Sequence, residues 1–497
     1  MIELVLALLA CALLGAAIDR GLLGDPGAGW IERTGRALML GLGGMGVLSM
    51  ALDMAFGRVG PLELGAAWLG ACLLLARPAL RSRPRPPATE GPATPLERAG
   101  LWGMALLAVA SLVLPVRAGI IRPAFQFDSL TRWMFKTKVL VLEGTLKGAI
   151  STDPSLWFTH QRYPPLVSHV SALPAWVASA LGAEVPFDDR IASAIYPWFA
   201  VAMVAMLYGC VSRRAGRTLG ALVAAWVASL PLVAYVSGPP PGSGAFSALA
   251  DVPLALFAAG AGMAAADALE RRRGRAWLET ALLLTFAALT KNEGLPFVAS
   301  VLVAVLLCAG RGRWRVVLGV GALTAVGFIA LWGAYMALSV PGLDENYWER
   351  LHGDAVSEGL SRIPMIIVAF ARGMLDPRVW NVTWVAVAAL LAAGWPALRR
   401  PALRMLLITV VLQLLAYAFA YMVTQWSSPR AEAVLAETGA QDPLVVLFEL
   451  TMGRLLLHVA PLAIACAVLA GPFRGRGGGP EAASGGADAA PGSSGAG

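Results

Sequence analysis

Apolar residues come in long runs broken by short polar segments, and no stretch alternates at the two-residue period of a lipid-facing strand. Thirteen runs reach or approach spanning length: 2–18, 36–55, 61–76, 100–116, 190–211, 218–236, 249–268, 276–290, 294–309, 316–338, 379–395, 403–424 and 454–470. A helix needs roughly 20 apolar residues to cross a bilayer and satisfies its own backbone groups in lipid. The pattern therefore predicts an all-α polytopic membrane protein with about thirteen transmembrane helices.

Arginines in the polar breaks set the sidedness. Arg77/Arg81/Arg83/Arg85, Arg213/Arg214/Arg217, Arg271/Arg272/Arg273/Arg275, Arg311/Arg313/Arg315, Arg399/Arg400/Arg404 and Arg474/Arg476 are all expected on the cytoplasmic side. If the apolar run from Pro164 to Leu181 also crossed, every later cluster would flip outside. That run is therefore expected to lie in the outer interface, opened by Pro164-Pro165 and carrying Trp176. The N-terminus is then outside and the C-terminus inside. Large outer loops fall at 117–189, 339–378 and 425–453, with shorter outer turns at 237–248 and 291–293. The inner loop 77–98 is rich in Pro and Arg, and the Gly/Ala/Ser/Pro-rich tail 475–497 is expected to be disordered.

Composition agrees: 58% of residues are hydrophobic and 14% charged, against about 25% charged in soluble domains. The net charge of +8 comes from loop arginines and implies no nucleic-acid partner. The five cysteines all sit in apolar runs without metal-ligand spacing and read as small buried hydrophobes. Met1–Ile18 lacks a basic n-region and reads as the first span, not as a cleaved signal.

Against this background the polar outliers stand out. The chain has four lysines; Lys136, Lys138 and Lys147 fall in the first outer loop, and Lys291 sits in Thr290-Lys291-Asn292-Glu293-Gly294 between two rather short spans. Asp128, flanked by Phe125, Phe127 and Trp133, is placed as a partly desolvated carboxylate able to act as a general base, or as a plain loop acid paired with Arg132. From Leu130 to Leu142 apolar residues recur at helical spacing with Arg132, Lys136 and Lys138 opposite, an amphipathic interfacial helix whose cations suit lipid head groups or the phosphate of a lipid-linked substrate. His160, Arg162 and Tyr163 close the same loop. Asp251 starts a span at its outer end, as a cap or as a cavity acid. Charges such as Lys291 and Glu293 near the membrane surface are costly there and are usually functional. Arg454 and His458 share one face of the last span, where they snorkel to head groups or hold a phosphate. No acidic metal cage is visible, so no cofactor is indicated, and dependence on a divalent ion is left open.

These segments resemble, in the same order, bacterial integral-membrane glycosyltransferases of the GT-C superfamily, of the protein mannosyltransferase and aminoarabinose transferase kind. The resemblance is carried by Asp128 with its aromatic and basic helix, Tyr163-Pro164-Pro165-Leu166, Leu181-Gly182-Ala183-Glu184 leading to Arg190, Ala250-Asp251-Val252-Pro253-Leu254-Ala255, Leu289 to Gly294, and Arg454-Leu455-Leu456-Leu457-His458 with Pro461. It covers 100–310 well and 440–470 moderately, leaving 1–99 as additional N-terminal helices, 100–310 as the catalytic core and 311–474 as C-terminal helices. The resemblance implies a GT-C-like fold with interfacial helices in the first large periplasmic loop. It also implies inverting transfer from a polyprenyl-phosphate sugar to a glycolipid, polysaccharide or protein acceptor at the bacterial inner membrane. Asp128 is the implied base, with Asp251, Lys291 and Glu293 lining the cavity and Arg454 touching phosphate. The first loop lacks the adjacent acidic pair of that group. The alternative is a polytopic transporter or lipid flippase of envelope biogenesis. It is disfavoured by the absence of an internal repeat and by polar residues gathering at one membrane face instead of the midplane.

Overall fold

The computed structural model describes residues 1–24, 29–81, 94–185, 187–234, 245–271, 274–310, 313–340, 357, 359–423 and 443–472. The Pro/Arg-rich part of the inner loop with Arg83 and Arg85, the Pro239-Pro240-Pro241 turn, Arg272, Arg273, Arg311, Arg474, Arg476 and the 475–497 tail lie outside these residues, as do parts of the loops expected at 339–378 and 425–453.

All regular structure among the described residues is helical. Seven helices among the described residues are long and apolar enough to cross a membrane: Ile2–Leu23, Trp30–Phe56, Pro95–Ile121, Asp189–Ala215, Asp251–Arg271, Trp314–Leu338 and Pro401–Val423. A bent pair, Thr451–Leu457 with Ala460–Ala470, makes an eighth. The other five expected spans differ from the reading of thirteen. Arg217–Ala228, Gly274–Thr290, Gly294–Cys308 and Thr383–Ala393 are helical but shorter than that length, and the Pro61–Arg81 helix is apolar only over Pro61–Ala76. At 1.5 Å per residue, 15–17 residues reach only about 22–25 Å, less than the roughly 30 Å hydrocarbon core. The structure also adds an apolar helix, Ile363–Leu375, inside what sequence alone assigned to an outer loop.

Helices approach closely where side chains vanish. A Cβ on Gly41 would sit 1.8 Å from the Cys11 carbonyl oxygen, so the first two helices cross nearly backbone to backbone. The Asp251–Arg271 helix is buried along almost its whole length and forms the centre of the bundle.

Charge pairs mark the two ends of the bundle. At one end, Arg36 binds Asp19 at 2.7 Å and Glu279 at 2.6 Å, Arg213 binds Glu32 at 2.7 Å and Asp267 at 3.2 Å, and Arg214 binds Asp267 at 2.5 Å. These side chains gather the ends of five helices. At the other end lie Asp128, Asp251, Lys291 and Arg454.

The Leu166–Ala180 helix stays in this second half. Leu166 and Val170 face Gly46, His169 meets Ser49 at 2.7 Å, and Trp176 and Val177 lie near Ala7, Ala10 and Leu64. It is covered by protein along most of its length, not laid bare along a surface.

The arginine distribution predicts that the two ends face opposite sides of the membrane. Leu142→Cys, at an exposed site near the Asp128 end, should react with an impermeant maleimide from outside the cell. Thr218→Cys, exposed at the other end, should react only after permeabilisation. A Cys72→Ala background suffices, because the other four cysteines are buried. Labelling of both positions from one side would overturn the assignment.

Candidate functional site

The Asp128 end holds one connected set of charged groups drawn from four separated parts of the chain. Asp128 precedes a π-helical turn, Ser129–Met134, that runs into the Phe135–Glu143 helix. Such wide turns are frequent at functional sites. The turn places Arg132 one step on, 3.4 Å from Asp128 Oδ1. Arg454 comes from the Pro443–Leu457 helix. Its Nη1 donates to Asp128 Oδ2 at 2.5 Å, and its Nε donates to Asp251 Oδ2 at 2.8 Å.

Asp251 is the hub. It opens the central helix just after Ala248, whose φ of 56° turns the chain into that helix at a conformation few non-glycine residues adopt. Its Oδ1 accepts from Lys291 Nζ at 2.9 Å and meets His458 Nε2 at 2.9 Å. Lys291 Nζ also lies 2.9 Å from Glu293 Oε1. The Lys291 hairpin is fixed by Gly294, where a Cβ would fall 2.0 Å from the Ala287 carbonyl oxygen. No larger residue lets those two helices close this tightly.

His458 sits at the break in the last helix pair, which bends by 48°. The sequence reading of 454–470 as one straight helix is corrected here. Pro461 has no N–H to give and its ring clashes with a preceding carbonyl, so the helix stops at Leu457 and restarts at Ala460. The opening presents the ring to two partners, Asp251 at Nε2 and the Tyr417 hydroxyl at Nδ1, 2.8 Å away. A neutral imidazole with its proton on Nε2 satisfies both. Sequence reasoning missed Tyr417. Its signal was present: Gln413, Tyr417 and Tyr421 recur every fourth residue along an otherwise apolar helix.

The carboxylates of Asp128, Asp251 and Glu293 thus face the permanent cations of Arg132, Lys291 and Arg454. Burial alone would raise the Asp128 carboxyl. Arg132 and Arg454 outweigh it and hold the group at about 2. Asp128 is therefore ionised at any physiological pH and has little affinity for a proton while both cations stay beside it. Among the described residues no group of three or more His, Cys, Asp or Glu side chains gathers as a metal cage.

The remaining expected site residues lie around this set, not in it. Lys136 is buried and donates to the carbonyls of His160 and Tyr163, both at 2.9 Å, so its charge holds the 160–163 turn. This differs from the phosphate contact expected of it, because the helix rotates Lys136 inward. His160 accepts that bond with a left-handed φ of 49° and packs edge-on against Tyr163. Tyr163 in turn lies under the Arg132 guanidinium, 5.9 Å from ring centroid to carbon. Arg162 gives its carbonyl to Trp332 Nε1 at 3.3 Å. Lys138 is exposed on the opposite side of its helix from Lys136, along a groove of about 510 Å³ with Leu130, Phe187 and Arg190.

A second set of bonds ties this loop to the N-terminal helices. Asp53 accepts from Thr145 Oγ1 at 2.5 Å and from the Leu146 N–H at 3.1 Å. Lys147 donates to the Met54 carbonyl, and the Val59 N–H donates to the Gly144 carbonyl at 2.7 Å.

No protein-family model matches this sequence, and no curated protein is detectably similar to it. What the fold defines is a class, an all-helical multi-pass membrane protein.

Proposed function

We propose that the chain is an inverting glycosyltransferase of GT-C type in the bacterial inner membrane, moving a sugar from a polyprenyl phosphate to an acceptor at the periplasmic face. The observation that carries this reading is the linkage of Asp128, through Arg454, to Asp251, Lys291 and His458 at one end of an apolar bundle. A carboxylate beside cations at the end of an apolar bundle supports a base next to an anionic leaving group carried by an isoprenoid-anchored donor.

In this reaction the acceptor hydroxyl gives its proton to Asp128 and its oxygen bonds to the anomeric carbon. The bond from that carbon to the phosphate oxygen breaks, and the electron pair leaves on polyprenyl phosphate. Arg454, Arg132 and Lys291 offset the added charge, which is worth most in a water-poor site. Base and leaving group on opposite faces of the sugar invert the anomeric centre.

The donor lipid supplies its own anchor. The acceptor, whether glycolipid, polysaccharide or protein, is open. The test compares surface glycolipids and polysaccharides by mass spectrometry in cells with and without the chain. Loss of a hexose or pentose from one glycan class supports transfer, and an unchanged glycan profile counts against it.

A second reading, a transporter or lipid flippase, draws on the broken helix at His458, since discontinuous helices often carry transport sites. In that case the deletion would redistribute a lipid or solute across the membrane without changing any glycan's composition.

A further inference from the structure

Arg454 is shared unequally. Its Nε is held by Asp251, whose side chain is only 4% exposed and also binds Lys291 and His458. Its Nη1 is held by Asp128, whose side chain is 18% exposed and sits on the loop that follows the Pro95–Ile121 helix. One bond is locked into the core and the other is at the edge. Arg132, the second cation on Asp128, keeps its buried Nε without a hydrogen-bond acceptor among the described residues. The same two guanidinium groups that hold Asp128 are each only partly buried and would be the groups an anion at this edge meets first.

Charge sets the direction of exchange. Three carboxylates and three permanent cations already balance. A phosphate brought to Arg454 adds negative charge, and the cluster relieves it most cheaply by releasing the more exposed of that guanidinium's two carboxylate partners, Asp128 and not Asp251.

We propose that Asp128 occupies the phosphate position of the resting site, and that a lipid phosphate displaces it from Arg454 and Arg132, so that anion binding itself frees the base. This rests on the transferase reading and adds a control to it. Without donor, Asp128 is tied up as an ion pair and is a poor proton acceptor. With donor, the cations turn to the phosphate, the carboxylate regains proton affinity, and the acceptor hydroxyl finds a working base only when a sugar is in place. Adventitious proton abstraction in the empty site is suppressed by the same bond. Asp251 keeps Arg454 from swinging away during the exchange.

The consequence runs against the usual effect of removing a site residue. A ligand that must displace an internal competitor binds with an apparent affinity reduced by the fraction of sites already open. Removing the competitor removes that reduction. In detergent or nanodiscs, Asp128→Asn should bind polyprenyl phosphate roughly tenfold more tightly than the wild type, while binding of the uncharged polyprenol is unchanged. Asp128→Ala serves as a second variant, and size-exclusion profile and melting temperature establish that each is folded. Arg454→Gln should abolish the preference for the phosphate over the alcohol. Equal or weaker phosphate binding by both folded Asp128 variants overturns the exchange while leaving the transferase reading intact. If wild-type protein does not distinguish polyprenyl phosphate from polyprenol at all, the transferase reading falls and the exchange falls with it.

Discussion

On the transferase reading, an Asp128→Asn variant loses sugar transfer by a factor on the order of 10² to 10⁴, while membrane insertion and abundance stay at the wild-type level. The substitution keeps the shape and an oxygen able to accept from Arg454, but removes the charge that takes the acceptor's proton. Structural damage is small because Arg454 stays anchored by Asp251 at 2.8 Å and Arg132 stays supported by the Tyr163 ring. The measurement is transfer of labelled sugar from a polyprenyl-phosphate donor in proteoliposomes, set beside immunoblots of the membrane fraction. Retained transfer would remove Asp128 from the role of base. Loss of the protein from the membrane would show that the residue matters chiefly to folding. The ionisation of Asp128 does not set an acid limit within ordinary assays. Its folded value near 2 lies below the usual value of about 3.9, so the stability it contributes is present above pH 4 and is lost only as pH falls towards 2.

Asp251→Ala has a different kind of effect. It strips the shared carboxylate from Arg454, Lys291 and His458 at once, and Lys291 and His458 are buried from bulk water. Breaking a buried pair by removing one partner costs about 3–5 kcal/mol. The expected outcome is a large drop in the melting temperature of the solubilised protein and in its steady-state abundance, not a folded but inactive chain. Asp251→Asn, which keeps acceptor geometry at one oxygen, should be milder. A melting temperature unchanged in Asp251→Ala would mean that the hub does not hold the helices together.

Much of this site was visible in the sequence because the chain is so poor in charge. In an apolar background each isolated Asp, Lys or Arg near a span end is expensive, and its position alone singles it out. Asp128, Arg132, Asp251, Lys291, Glu293, Arg454 and His458 could all be named that way, and the structure draws them together. Their chemical roles are another matter and depend on the tests above. What the sequence could not separate was Lys136 from Lys138. Two residues apart on a helix, they point to opposite sides, and only tertiary packing decides that one bonds to carbonyls while the other faces a groove. Tyr417 was passed over because tyrosine in an apolar helix is commonplace, although Gln413 and Tyr421 share its face. Asp19, Glu32, Arg36 and Glu279 were hidden because they lie in a loop or at the very start of an expected span, where charge is commonplace, and only the fold shows that they pair. Hydropathy registers apolar length but not the turns that end Arg217–Ala228 and Thr383–Ala393 below spanning length.

The first three helices, which the resemblance leaves aside as additions, are not ornamental. Through Asp53, Met54 and Val59 they grip the chain at Gly144–Lys147, in the same loop that carries Asp128. An engineer trimming this protein could not cut at the apparent seam near residue 99 without letting go of the arm that carries Asp128. Variation in the N-terminal helices can thus shift a charge cluster contributed by other parts of the chain.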